Sequence, residues 1–339
     1  MRFASIIALA APVFVAAAPW RRNAATNLLV LKFADVLEQL EATFYSQALV
    51  KFKESDFTAA GFPSAQLAIE QFLSIRDDEV IHATVLEETI KALGGTPVDN
   101  CSFDFSTVLT DVTTMANVAR VVENVGVTAY LGAANLLSDP VLLTAAGSIL
   151  TVEARHQTIL NVLTSGTAIP QAFDLAFTPS EVLAIAGSFI SGCDLGVKAN
   201  QPLALTNNGT VTTGTLLTFN SPALNGSTDG LFCQMMVGGL AFSISLPVSQ
   251  CVVPNGVNGP VALWITSDSQ PLINNPIDRA VDKQVAGPMI AFIDTVPQLL
   301  GQMAHTPASA PPPTPTTITL EQATSLINNA SPVPSPTGY

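Results

Sequence analysis

Charge is scarce in this sequence: Asp, Glu, Lys and Arg make up 12% of 339 residues, against 48% hydrophobic residues. Basic residues are scarcer than acidic ones, 13 against 26, and outside Arg21-Arg22 they form no cluster. A nucleic-acid partner requires a basic face for its phosphates, so the composition argues against that class. Long apolar runs are lacking as well. Mean hydropathy is +0.42, yet beyond the N-terminus no run of about 18 apolar residues is present to span a bilayer. The apolar excess is dispersed among Ala, Val, Leu and small polar neighbours, which predicts a large core and a lightly charged surface. The net charge of −13 suits an acidic or extracellular medium and attracts cations weakly.

Cysteines number only four, Cys101, Cys193, Cys233 and Cys251, with no C-x-x-C among them. That spacing argues against a zinc site and for disulfides in an exported protein. Of three connectivities, Cys101 with Cys193 and Cys233 with Cys251 is the least strained. Sequons at Asn208 and Asn225 fit the same route as N-glycosylation sites. Residues 1–18 read as a signal peptide: one Arg, an apolar run, then Ala16-Ala17-Ala18. Residues 19–27 form a candidate pro-segment, in which Arg21-Arg22 is either a dibasic processing site or simply a polar lead-in. Residues 306–339 are rich in Pro, Thr and Ser and read as a disordered tail without a lipid-anchor signal. These features predict a secreted protein, extracellular or in the cell wall, with no membrane anchor.

Four segments show helical periodicity: residues 26–50, 63–93, 108–137 and 140–165. At 1.5 Å per residue each is roughly 40 Å long, which predicts a four-helix bundle over residues 28–167. The connection after Gly94-Gly95 is long enough to run the length of the bundle, allowing the second and third helices to be parallel. From residue 168 to 305 the texture changes. One more helix is expected at 179–191, followed by strands at 210–219, 231–246, 261–266 and 284–294. The expected fold is mainly α, with a short helix and a small β-sandwich-like module after the bundle.

Histidine and tyrosine are rare, three of each, and their positions are informative. Two of the histidines complete Glu79-x-x-His82 and Glu153-x-x-His156, each pair on one helical face. Two of the tyrosines close a repeat in which Glu38, Thr43 and Tyr45 align without gaps on Glu123, Thr128 and Tyr130. The bundle is therefore expected to repeat itself about a pseudo-twofold axis. A lone Glu-x-x-His is commonly a solvated pair. Here Glu79 and His82 share a stripe with Phe72, Ile75 and Leu86, and Glu153 and His156 lie with Ile149 and Leu163. Ionisable groups buried this way cost several kcal/mol each without compensation, which a dication supplies. The alternative is a relic site that is merely hydrogen-bonded.

Glu38, Glu79, His82, Glu123, Glu153 and His156 are thus the candidate metal ligands. Glu79 and His82 are expected on one ion, Glu153 and His156 on the other, with Glu38 and Glu123 closing or bridging the pair. Glu41 competes with Glu38, because it lies nearer the centre of its apolar stripe. Its repeat equivalent is Gly126, however, whereas Glu38 matches Glu123. Tyr45 and Tyr130 are expected to hydrogen-bond the ligand carboxylates rather than carry radicals. Arg155 is assigned an acid such as Asp78 or Glu41, and His305 no partner. Carboxylate and imidazole ligands suit two iron or two manganese ions, with iron placed ahead. No catalytic residue is assigned.

The motifs Leu37-Glu38-x-Leu40-Glu41-Ala42-x-Phe44-Tyr45, Arg76-Asp77-Asp78-Glu79-x-x-His82, Val122-Glu123-Asn124-Val125-Gly126 with Tyr130, and Glu153-Ala154-Arg155-His156 together resemble a family. It is the secreted ferritin-like domain family, which includes fungal late-sexual-development and stress-response proteins and plant desiccation-related proteins. The resemblance implies a di-iron-type bundle and a link to stress or development. The function expected is a dinuclear centre reacting with O₂ or peroxide, as an oxidase, a ferroxidase or a manganese-catalase-like enzyme. The competing class is a non-catalytic, metal-binding or cell-wall-associated protective protein.

Overall fold

The computed structural model describes residues 24–305. The expected signal peptide, Arg21-Arg22 and the Pro-rich tail lie outside the described residues. Four long helices supply the bundle: α1 (Ala24–Lys51), α3 (Ala65–Ala92), α4 (Val112–Ala133) and α5 (Pro140–Leu163). A short helix missed in the sequence, α2 (Glu54–Ala59), sits between the first two and buries Phe57. Local chemistry starts each later helix. Ser64 Oγ accepts from Leu67 N, Asp111 Oδ1 from Thr114 N, and Asp139 Oδ1 from Val141 N just ahead of Pro140 at the first position. Such caps satisfy amides left unpaired at a helix start. The Asp111 cap explains why α4 begins at Val112 rather than near residue 108.

Tyr45 packs on Phe72 while Glu38 lies beside His82, so α1 and α3 are antiparallel. Tyr45 reaches Glu123 and Tyr130 reaches Glu38, so α1 and α4 are antiparallel too. It follows that α3 and α4 run parallel, joined by the long crossover through residues 93–111. That crossover is fixed where β1 (Ser102–Phe103) pairs with β2 (Ile190–Ser191) and where Cys101 is bonded to Cys193.

After the bundle, α6 (Pro179–Ala186) opens with a capping box between Thr178 and Glu181. The chain before it lies directly on α4: Phe177 N donates to Thr128 O, and a Cβ at Gly132 would collide with the Phe177 backbone. A two-stranded ribbon, β3 (Ala204–Leu205) with β4 (Phe219–Asn220), precedes a four-stranded antiparallel sheet. The sheet order is β6 (Ile244–Pro247), β5 (Phe232–Val237), β7 (Gly259–Thr266), β8 (Gln284–Ile293). The stretch expected as one strand at 210–219 is instead largely irregular, with a turn at 213–214; it bonds residues 251–253 around the Leu216–Val252 bridge and ends in β4. A last short helix, α7 (Leu299–Ala304), follows β8.

Alternation along the strands divides the core between the two faces of the sheet. Met236, Ala262, Trp264 and Ile290 join the core of the bundle. Cys233, Met235, Leu263 and Ile265 face a second core closed by Leu203, Leu217, Val253 and Val257, with Cys233 bonded to Cys251. Glu181 fixes the docking. Its Oε2 accepts from Arg279 Nη1 at 2.6 Å, and its Oε1 from Trp264 Nε1 at 3.2 Å and Gln284 Nε2 at 2.9 Å. Arg120 on α4 reaches the end of β8 through a two-toothed bridge to Asp294 at 2.7 and 2.8 Å. Among the described residues no helix is long and apolar enough to cross a membrane.

Candidate metal centre

Glu38 and Glu41 on α1, Glu79 and His82 on α3, Glu123 on α4, and Glu153 and His156 on α5 are all buried. They converge at mid-bundle because each stands near the middle of its helix, and antiparallel helices bring their midpoints to one height. The His82 and His156 ring centroids are 6.4 Å apart, with the glutamates between them.

Two ligand groups result, each with its donor atoms within 4.8 Å of one another: Glu38, Glu79, His82 and Glu153, and Glu79, Glu123, Glu153 and His156. Glu79 and Glu153, expected to serve one ion each, lie in both groups. Glu38 and Glu123, expected to close or bridge the pair, lie in one each. Glu41 is in neither.

The residues present fit a bound cation better than they fit one another. His82 Nδ1 lies 3.2 Å from Glu38, 3.0 Å from Glu79 and 3.4 Å from Glu153. His156 Nδ1 lies 2.8 Å from Glu79 and 3.2 Å from Glu123. One ring nitrogen has a single in-plane direction, so one proton cannot serve two or three carboxylates. Glu79 Oε1, although close to His156, is not aligned for a hydrogen bond, and neither oxygen of Glu153 receives one. A cation between imidazole and carboxylates would satisfy all of them.

Electrostatics give the same result. Burial, then the charges of neighbouring glutamates, push Glu41 and Glu153 well above the usual carboxylate range. Glu79 is lifted to about 8 by burial and the Glu123 charge, with His156 and His82 pulling the other way. Burial lowers His82 and His156, but their carboxylate contacts outweigh it and hold them near 12 and 11. Without metal, the cluster retains protons that dications would displace.

The matched tyrosines both bind carboxylates. Tyr45 Oη donates to Glu123 Oε1 at 2.6 Å, and Tyr130 Oη donates to Glu38 Oε1. Burial, followed by the adjacent glutamate charge, raises both phenols, so they remain protonated donors. Gly126 shows why the repeat breaks at Glu41. A Cβ there would strike Glu153 Oε2 and lie 3.3 Å from Glu41 Oε1, so the glycine leaves room for both carboxylates.

Asp78 was missed as part of the centre. Its Oδ2 lies 3.1 Å from His156 Nε2, fixing the ring whose Nδ1 faces the carboxylates; its one signal is its place beside Glu79. Arg155, expected to pair with Asp78 or Glu41, is exposed and makes no ion pair among the described residues. His305, expected to lack partners, lies 2.6 Å from Leu163 O through Nε2 and packs against Phe62 with the two rings tilted by 40°. Asn208 and Asn225 are exposed.

The family model for the ferritin-like domain matches residues 26–165. These residues form a ferritin-like domain. Its match ends where α5 does and takes in all six candidate ligands. A crystal structure of ferritin-like, diiron-carboxylate proteins from Bacillus anthracis str. Ames is similar at 22% identity. That match covers 42% of this chain and 98% of that one, with a TM-score of 0.35. Comparison with curated proteins gave no match.

Proposed function

We propose that the ferritin-like domain holds a dinuclear centre of iron or manganese, in an exported protein that reacts with O₂ or peroxide. Glu38 and His82 would complete one ion and Glu123 and His156 the other, with Glu79 and Glu153 shared between them. The observation that carries this reading is the membership of Glu79 and Glu153 in both ligand groups. When bound, a pair of redox-active ions supplies two-electron chemistry at a small oxidant.

The remaining groups hold the carboxylates and manage protons. Tyr45 and Tyr130 fix one oxygen of Glu123 and of Glu38, leaving the other oxygen of each directed at a histidine. Asp78 orients His156 from behind. Burial keeps bulk water away from all six ligands. Glu41, buried and held above the usual carboxylate range by burial and the neighbouring glutamates, stands beside the cluster. Two disulfides and two exposed sequons support export into an oxidising compartment.

Purified protein loaded with Fe(II) or Mn(II) tests the reading. Two ions per chain with consumption of peroxide or oxidation of Fe(II) is the expected result. Two ions with neither activity would favour a protective, metal-binding role. No bound metal would refute the centre.

A further inference from the structure

The two halves of the bundle repeat each other at the ligand positions but not in the apolar layer beside them. With Glu38 set against Glu123, Phe44 falls opposite Ala129; with Glu79 set against Glu153, Phe72 falls opposite Ala146. Phe44 and Phe72 are fully buried and fill their half of the bundle. Ala129 and Ala146 instead line a narrow slot in the other half, walled by all four long helices. It divides Leu31, Leu86, Ile90, Leu137 and Leu142 from the main core. Along α1 it extends from Glu41 to Val30, roughly 16 Å at 1.5 Å per residue.

Its lining is apolar except at the inner end and at Thr89, whose hydroxyl is spent on Val85 O. Glu38, Glu41 and Tyr130 form that inner end. Tyr130 and Glu38 bond each other, whereas Glu41, 3% exposed, makes no hydrogen bond among the described residues. A narrow, apolar slot ending at one buried carboxyl that makes no hydrogen bond suits a thin apolar chain carrying a single polar group.

We propose that this slot binds a linear, medium-chain aliphatic molecule with an uncharged polar head, the tail along Ala129, Ala133 and Ala146 and the head beside Glu41. The length suits about ten carbons at a C–C bond of about 1.5 Å in a zigzag. The uncharged head rests on the metal reading: the four glutamates of the ligand groups balance two dications and leave no positive surplus for an anion. The tail site rests on the slot alone.

Calorimetric titration of the metal-loaded full chain with 1-hexanol to 1-tetradecanol, and with decanoate, tests this. Affinity should rise about fourfold per methylene, level off near ten carbons, and exceed that of decanoate at least tenfold. Ala146→Phe, which restores the residue of the repeat, should abolish the gain with chain length without changing metal content. Ala133→Leu, a milder filling of the outer end, should move the plateau to shorter chains if Ala146→Phe fails to fold. Two bound metals with no alcohol binding, or a plateau unmoved by both variants, would overturn the slot. A chain-length plateau in a protein that binds no metal would leave the tail site standing and overturn the dinuclear centre and the argument for its uncharged head.

Discussion

Tyr45 on α1 donates a 2.6 Å hydrogen bond to Glu123 on α4, and the repeat returns the bond from Tyr130 to Glu38. Each half of the bundle thus holds the carboxylate of the other. Tyr45→Phe removes a buried donor to an anion, worth about 1.5–3 kcal/mol, and frees Glu123 to rotate. Metal affinity should fall about 10–100-fold, as is usual when the partner behind a ligand is lost. Competition with a chelator of known affinity measures it, and an unchanged affinity would count against the positioning role.

Gly126→Ala should invert the usual sign of such a change. Within a helix it ordinarily stabilises by about 1 kcal/mol. Here the new Cβ meets Glu153 Oε2 and Glu41 Oε1, so both metal content and melting temperature should drop. A variant that melts higher with both metals bound would show that the carboxylates do not need that space.

The pH dependence has a definite sign. A group raised on folding contributes stability that is present below its unfolded pKa and lost as pH rises through its folded one. Glu79 rises from 4.5 to about 8 and Asp35, through burial, from 3.8 to about 6. Their contributions therefore disappear between about pH 4 and 8, and those of His82 and His156 begin to disappear above 6.5. Metal-free protein should melt lower at about pH 8 than at about pH 5. Metal replaces those protons, so the rise in melting temperature on loading should grow with pH. Calorimetry with and without metal at both values checks this; a metal-free protein that is more stable at pH 8 would contradict it.

Arg279 and Glu181 form a fully buried ion pair between the sheet region and α6. Arg279→Ala leaves Glu181 buried with Trp264 and Gln284 as its remaining side-chain partners, at a cost of about 3–5 kcal/mol. Because one sheet face shares the bundle's core, the loss should shift a single unfolding transition. Two separate transitions would show that the sheet unfolds on its own.

The four helices and the facing Glu/His pairs were legible because both rest on local spacing: apolar positions recurring with a helical period, and Glu-x-x-His on one face. Which glutamates two ions could share was not legible. It depends on rotamers across four helices, and sequence symmetry alone equally allowed Glu38 and Glu123 as bridges. The repeat did place Tyr45 and Tyr130 opposite carboxylates, and it marked Gly126 as the odd position opposite Glu41. The sheet was only partly visible. Val261–Thr266 has an apolar run that reads as a buried strand, whereas the strand-like residues of 210–219 bond in short pieces, to residues 251–253 and to β3, without forming one continuous strand. Glu181, the hub of the docking, looks in sequence like an ordinary capping residue, and its Arg279 partner is 98 residues away.

Metal stoichiometry in single variants tests the central claim most directly. Shared glutamates predict that Glu79→Gln or Glu153→Gln loses both ions, whereas Glu38→Gln or Glu123→Gln retains about one. Elemental analysis of folded protein reads the outcome. Retention of one ion in Glu79→Gln and Glu153→Gln, with loss of both in Glu38→Gln, would contradict the arrangement of the centre.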